Sequence, residues 1–230
     1  MLNVSNLIKA VIFDMDGVII DSEPLWELAE KTAFKAVGIH LTQDLCLQTQ
    51  GLRVDEVVDY WFERHPWPLA ETSKIEVADT IIENLQTLIA DKAQPMKGVL
   101  STIEWLSHNN IPLAIASSSP MNIINTVVDC FDIRHYFQVL KSAQFEDYGK
   151  PHPSVYISTA KELGVSPTQC LAIEDSFNGL LAAKSARMFT LVVPEESMAA
   201  QTRFDIADLK LQDLTQVNRS QIMEMFNYKA

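Results

Sequence analysis

Basic residues are scarce in this 230-residue sequence: 18 Lys or Arg stand against 30 Asp or Glu, a formal charge of −12. So acidic a surface repels phosphate backbones and anionic lipids, which argues against nucleic acid or a membrane as partner. A phosphorylated small molecule would be repelled at long range too. Any phosphate site must therefore be assembled locally, from a metal, a few basic side chains and backbone N–H groups. Cysteine is also scarce. Cys46, Cys130 and Cys170 are scattered, with no CxxC pair, so neither a disulfide framework nor a thiolate metal site is expected; free thiols in a reducing cytosol are. No apolar run approaches the ~20 residues of a membrane span. The run Ala10-Val11-Ile12-Phe13 stops at Asp14 with no small-residue cleavage site after it, and a cytoplasmic location is expected. Internal repeats and low-complexity segments are lacking as well.

Short apolar runs do occur, alternating with segments of helical period, the pattern of a parallel α/β sheet. The strand candidates are Leu7–Phe13, Ile111–Ala116, Cys170–Ile173 and Phe189–Val193. Three of them run directly into polar clusters, Asp14-Met15-Asp16, Ser117-Ser118-Ser119 and Glu174-Asp175-Ser176. Ligands of open α/β sheets bind beyond the carboxyl ends of strands, so these clusters are expected to share one crevice. Residues 18–92 differ. Apolar stripes at i, i+3, i+4 and i+7 run through Leu28–Val37, Val54–Phe62 and Ile75–Ile89, and no strand pattern interrupts them. A helical unit inserted between the first two strands is expected. The alternative is a single elaborated domain with long crossover helices.

Four segments carry chemistry. In Asp14-Met15-Asp16-Gly17 one carboxylate can attack phosphorus, and a second, two residues on, can act as acid and base. A plain turn is the alternative; a calcium loop would need its glycine at the sixth position, whereas Gly17 is the fourth from Asp14. In Ser117-Ser118-Ser119-Pro120, Ser119 is read as an N-cap with Pro120 as the first helical residue. A helix start there offers N–H groups to a phosphate, with Ser117 adding a hydroxyl; simple capping is the alternative. Prolines in Gly149-Lys150-Pro151-His152-Pro153 hold Lys150 rigidly, fit to neutralise phosphoryl charge and a carboxylate, unless it is merely an exposed loop lysine. His152 is read as structural. Glu174-Asp175 offers hard oxygens of the kind Mg²⁺ takes, or else caps the next helix.

Together these segments resemble the four motifs of the haloacid dehalogenase superfamily, over about residues 8–193. The resemblance implies a Rossmann-like parallel core, residues 1–17 and 93–230, with an all-helical cap at 18–92. It implies Mg²⁺ held by Asp14, the Asp16 main-chain carbonyl and the Glu174–Asp175 pair, chiefly Asp175. Phosphate contacts are implied from Ser117, the Ser118 N–H and Lys150. Within the superfamily, Asp21-Ser22-Glu23-Pro24-Leu25-Trp26, Gly51-Leu52-Arg53 and Glu174–Gly179 are most similar to bacterial phosphatases acting on hexitol phosphates or 2-deoxyglucose 6-phosphate. An Arg after a cap glycine binds substrate phosphate in related phosphomutases, which makes Arg53 the cap-side candidate. Glu23 and Trp26 are candidates for the entrance, Trp26 being read chiefly as core. Ser154 stands where relatives often carry Asp.

The expected protein is thus a Mg²⁺-dependent phosphatase of a small phosphorylated metabolite, monomeric or weakly self-associating. A β-phosphoglucomutase-type phosphomutase is the alternative. A sugar-phosphate-binding regulator without catalysis is a third reading, disfavoured because Asp14 and Asp16 are both present.

Overall fold

The computed structural model describes residues 8–49, 51–220 and 222. Its centre is a six-stranded parallel sheet of order β3-β2-β1-β4-β5-β6. The strands are β1 (Ala10–Phe13), β2 (Leu113–Ser117), β3 (Val139–Ser142), β4 (Cys170–Glu174), β5 (Phe189–Val192) and β6 (Leu209–Lys210). This is the doubly wound α/β arrangement expected. β1 lies at the point where the chain changes direction across the sheet, between β2 on one side and β4 on the other. Such a switch point opens a crevice at the strand carboxyl ends.

Alternation along β1 explains its burial on both faces. Val11 and Phe13 enter one apolar cluster, Ala10 and Ile12 the other. The second cluster is rich in alanine, with Ala114, Ala116, Ala172, Ala182 and Ala183, so helices approach that face closely. Around the sheet lie α5 (Val99–His108), α6 (Met121–Cys130), α7 (Ser154–Glu162) and α8 (Phe177–Ser185).

Between β1 and α5 the described residues hold four α-helices and no strand: α1 (Glu23–Ala36), α2 (Gln43–Cys46), α3 (Val54–Arg64) and α4 (Lys74–Lys92). The predicted stripe is the buried face in α3 and, apart from the exposed Ile75, in most of α4; in α1 Leu28, Thr32 and Ala36 are exposed and the buried face is turned towards Leu25 and Phe34. α1 buries Leu25, Ala29, Ala33 and Phe34; α4 buries Val77, Ile81, Ile82, Leu85 and Ile89. Removing the ring of a fully buried Phe34 would cost about 3–5 kcal/mol. Gly38, at φ 83°, ends α1 in the left-handed conformation that glycine tolerates. The segment leaves and returns at one place, where Ile20 bridges Pro95 and the Met96 N–H donates to the Ile19 carbonyl. Among the described residues, no helix is long and apolar enough to cross a membrane.

The sequence reading differs from this fold at the sheet edges and at one helix cap. β3 and β6 were not expected; both are sheet edges, β6 of only two residues, and β3 is half-exposed at Leu140 and Lys141. The Ser119 cap is displaced by one residue: Pro120 precedes α6, which starts at Met121, and Ser119 has another partner. Leu7, the first residue of the first strand candidate, lies outside the described residues.

Candidate active site

Register brings three strand ends together. Phe13 pairs with Ile115 of β2 and with Ile173 of β4. Asp14, Ser117 and Glu174–Asp175 therefore emerge side by side. Gly17 then turns the chain at φ 69°, and a Cβ there would lie 2.1 Å from the Asp175 carboxylate. Only glycine fits so close an approach.

Asp14, Glu174 and Asp175 are buried, and a carboxylate oxygen from each lies within 4.8 Å of the others. The Lys150 ammonium meets this cluster at 3.0 Å from Asp14 and 2.8 Å from Glu174. Glu174 also accepts from the Tyr156 hydroxyl. Helix α8 starts hard against Glu174: a Cβ on Gly179 would fall 1.9 Å from its carboxylate. Ser176 caps that helix by accepting from the Gly179 N–H at 3.0 Å. The capping alternative thus falls to Ser176, while Asp175 joins the acidic cluster.

One ammonium does not balance three buried carboxylates. Burial, then repulsion from Glu174 and Asp16, pushes Asp14 up to about 8 against the pull of Lys150. Asp175 is raised well above the usual range by burial, Glu174 and Asp14. Burial opposes the charge on Lys150, but Asp14 and Glu174 outweigh it and raise its pKa. An excess of negative charge on hard oxygens, drawn to one point, is the environment a Mg²⁺ ion fits.

Asp16 is held apart from this cluster by its own donors. Oδ1 accepts from Ser22 at 2.6 Å and from the Trp26 indole at 2.8 Å. Oδ2 accepts from Ser119 at 2.6 Å and, weakly, from Ser117 at 3.4 Å. Ser22 and Ser119 were not singled out in the sequence for this contact, and Trp26 was read chiefly as core. Spacing gives a partial signal: Ser22 and Trp26 open the helix that follows the Asp14–Gly17 turn, at i and i+4.

Ser118 lines the cleft and donates through its hydroxyl to the Gly51 carbonyl of the helical segment at 2.9 Å. Arg53 does not line it. Its Nη1 donates to the Ala143 and Glu146 carbonyls at 3.3 and 2.9 Å, and its other donors grip Asp55. The expected cap-side phosphate contact is thus not what this conformation presents, because the guanidinium is already occupied in tying the helical segment to the sheet side. The cavity between these walls is only about 60 Å³ in this conformation, so a sugar phosphate would need the cleft to open further.

Comparison with known proteins agrees with this geometry. Residues 8–187 match the family model for haloacid dehalogenase-like hydrolases. Hexitol phosphatase B of Escherichia coli K12 is 39% identical over 94% of this chain and 97% of its own. A phosphorylated carbohydrates phosphatase of Thermotoga maritima is 30% identical over 77% of this chain and 81% of its own. Among solved structures, a β-phosphoglucomutase of Clostridium difficile superposes with a TM-score of 0.83 at 27% identity, covering 96% of this chain and 98% of the other. The chain belongs to the haloacid dehalogenase-like hydrolase family, and it is an enzyme.

Proposed function

We propose that the protein is a Mg²⁺-dependent phosphatase of sugar or sugar-alcohol phosphates, working through an aspartyl-phosphate intermediate. The observation that carries this reading is the meeting of Asp14 with Lys150 and Asp175 at adjoining strand ends, with Asp16 oriented separately two residues on. The substrate class draws support from the phosphatases of hexitols and phosphorylated carbohydrates to which the chain is similar.

Asp14 is the nucleophile. Its carboxylate oxygen bonds to phosphorus as the bond from phosphorus to the sugar oxygen breaks. Asp16 gives its proton to that departing oxygen. It then takes a proton from water, whose oxygen displaces Asp14 and releases inorganic phosphate. Lys150 favours the ionised form of Asp14 without outweighing burial, and the charge of a bound Mg²⁺ would supply the remainder. Ser22, Trp26 and Ser119 fix the direction of the Asp16 carboxylate. The Ser117 hydroxyl, the Ser118 N–H and Lys150 contact the phosphoryl oxygens. Mg²⁺ would be held by Asp14, the Asp16 carbonyl and Asp175, with Glu174 beside them, and it supplies neutralisation of phosphoryl charge when bound. Residues 18–92 act as a cap over a core of 1–17 and 93–230, and Arg53 and Ser118 tie the two together.

The test is phosphate release in Mg²⁺ across hexose, pentose and hexitol phosphates. Asp14→Asn is expected to lower kcat by about 10⁴-fold or more; unchanged turnover would sink the mechanism. The likeness to the C. difficile β-phosphoglucomutase favours one second reading, a phosphomutase that returns the phosphoryl group to the sugar. Isomerised sugar phosphate without free phosphate would select it.

A further inference from the structure

Helix α1 turns one stripe into the cleft. Glu23, Trp26, Glu27 and Glu30 fall at i, i+3, i+4 and i+7, and all four line the cavity that contains Asp14 and Asp16. Three of the four are acidic, and no Lys or Arg lines that cavity among the described residues.

Glu30 stands out. It is 7% exposed, and its Oε2 is buried with no hydrogen-bond partner among the described residues. The Cys46 thiol lies beside the same carboxyl and favours its charged form. A buried polar atom left unmatched costs about 1–3 kcal/mol, and native structures rarely tolerate one without a reason. Burial, helped by the charges of Glu23 and Glu27, pushes Glu30 up to about 8 despite the thiol. At neutral pH it is therefore mostly a carboxylic acid, able to donate one hydrogen bond and accept another. A hydroxyl asks for that combination.

Position narrows the choice. Trp26 touches Asp16 through its indole N–H. Glu30 lies one turn further, about 6 Å along the helix axis. Its partner therefore sits several carbons away from the reacting phosphoryl group.

We propose that Glu30 is a specificity-determining residue whose free carboxyl oxygen hydrogen-bonds a leaving-group hydroxyl remote from the phosphate, while Glu23 and the lack of a cation in the cavity wall, where Glu27 is already paired with Lys31, disfavour leaving groups bearing a second anion. This inference deepens the phosphatase reading and rests on it. It defines the substrate as a polyol or sugar whose only anionic group is the phosphate removed. Bisphosphates and phosphorylated carboxylic acids are disfavoured, because no basic side chain in the wall would receive the extra charge.

The experiment compares kcat/KM in Mg²⁺ for three probes: sorbitol 6-phosphate, hexyl phosphate of equal chain length without hydroxyls, and 6-phosphogluconate with a terminal carboxylate. Glu30→Leu is expected to lower the ratio of sorbitol 6-phosphate to hexyl phosphate by about 10- to 100-fold. Glu30→Gln, which keeps a donor and an acceptor, should restore most of it. An unchanged ratio overturns the proposal, even if both rates fall, because that pattern marks a merely structural carboxyl. The parent enzyme should prefer sorbitol 6-phosphate to 6-phosphogluconate by about tenfold or more, and equal turnover overturns the exclusion of anions. Should the parent enzyme turn over none of the probes, the phosphatase reading fails on its own. Calorimetric binding of sorbitol 6-phosphate to Asp14→Asn, with and without Glu30→Leu, then decides the role of Glu30: equal affinities overturn it.

Discussion

The two walls of the cleft surround their buried carboxyl groups with different partners. On the sheet side, Asp14 and Glu174 share the Lys150 ammonium, and Asp16 accepts from an indole and from hydroxyls. On the helical side, Glu30 is equally buried but has no cation, keeps one oxygen unmatched and holds its proton to about pH 8. Burial penalises the charged form on both walls. The sheet wall opposes that penalty with a lysine, yet Asp14 is still pushed up to about 8, so the anion that attack on phosphorus requires calls for a further positive charge there, which a bound Mg²⁺ would supply. The helical wall lets the penalty stand, and the result is a neutral group suited to a neutral substrate.

The comparison can be broken first at Lys150. Lys150→Met leaves Asp14 and Glu174 buried without their cation, which is expected to cost about 3–5 kcal/mol of stability. It should also lower kcat by about a thousandfold. Melting curves read the first and phosphate release the second, and a variant as stable and active as the parent would show that the sheet wall does not depend on this ion pair. A smaller effect is expected at Trp26. Trp26→Phe keeps the ring but removes the N–H that meets Asp16, leaving Ser22 and Ser119 in place. About a tenfold fall in kcat, with little change in KM, is expected; a change in KM alone would assign Trp26 to substrate contact instead.

The smallest effect concerns Glu30 and pH. Its folded pKa of about 8 lies above the reference value of 4.5. The unfolded chain gives up this proton near pH 4.5 while the folded chain keeps it, so this group's contribution to stability is intact below pH 4.5 and declines as pH rises towards 8. Glu30→Gln cannot titrate and escapes that decline. Its melting temperature relative to the parent should therefore be higher at pH 8 than at pH 5, by several degrees. Equal differences at the two pH values would mean that Glu30 ionises inside the fold as readily as outside it.

Much of this molecule was legible in its sequence. Strands buried on both faces announce themselves as apolar runs, and that sufficed for β1, β2, β4 and β5. β3 and β6 escaped because they are edges, β6 of only two residues, with Lys141 and Lys210 carried where a central strand would bury an apolar side chain. Asp14, Lys150, Glu174 and Asp175 meet as their positions after strands and in a rigid loop suggested. Residues that answer a partner in space were harder to see. Ser119 resembles a helix cap in one dimension, yet its hydroxyl goes to Asp16. Trp26 has the composition of a core residue, and only the turn at Gly17 shows that its indole faces a carboxylate. Glu30 was not singled out in the sequence, although Trp26, Ala33, Phe34 and Val37 lie on its helix face, and the cleft wall buries it.

Arg53 reaches across to the Ala143 and Glu146 carbonyls rather than to a carboxylate on the far side. Carbonyl oxygens carry no net charge, do not titrate and attract no counterion cloud for added electrolyte to compress. This tie across the two sides is thereby less sensitive to ionic strength than an ion pair spanning the same gap would be, in a protein whose formal charge is −12.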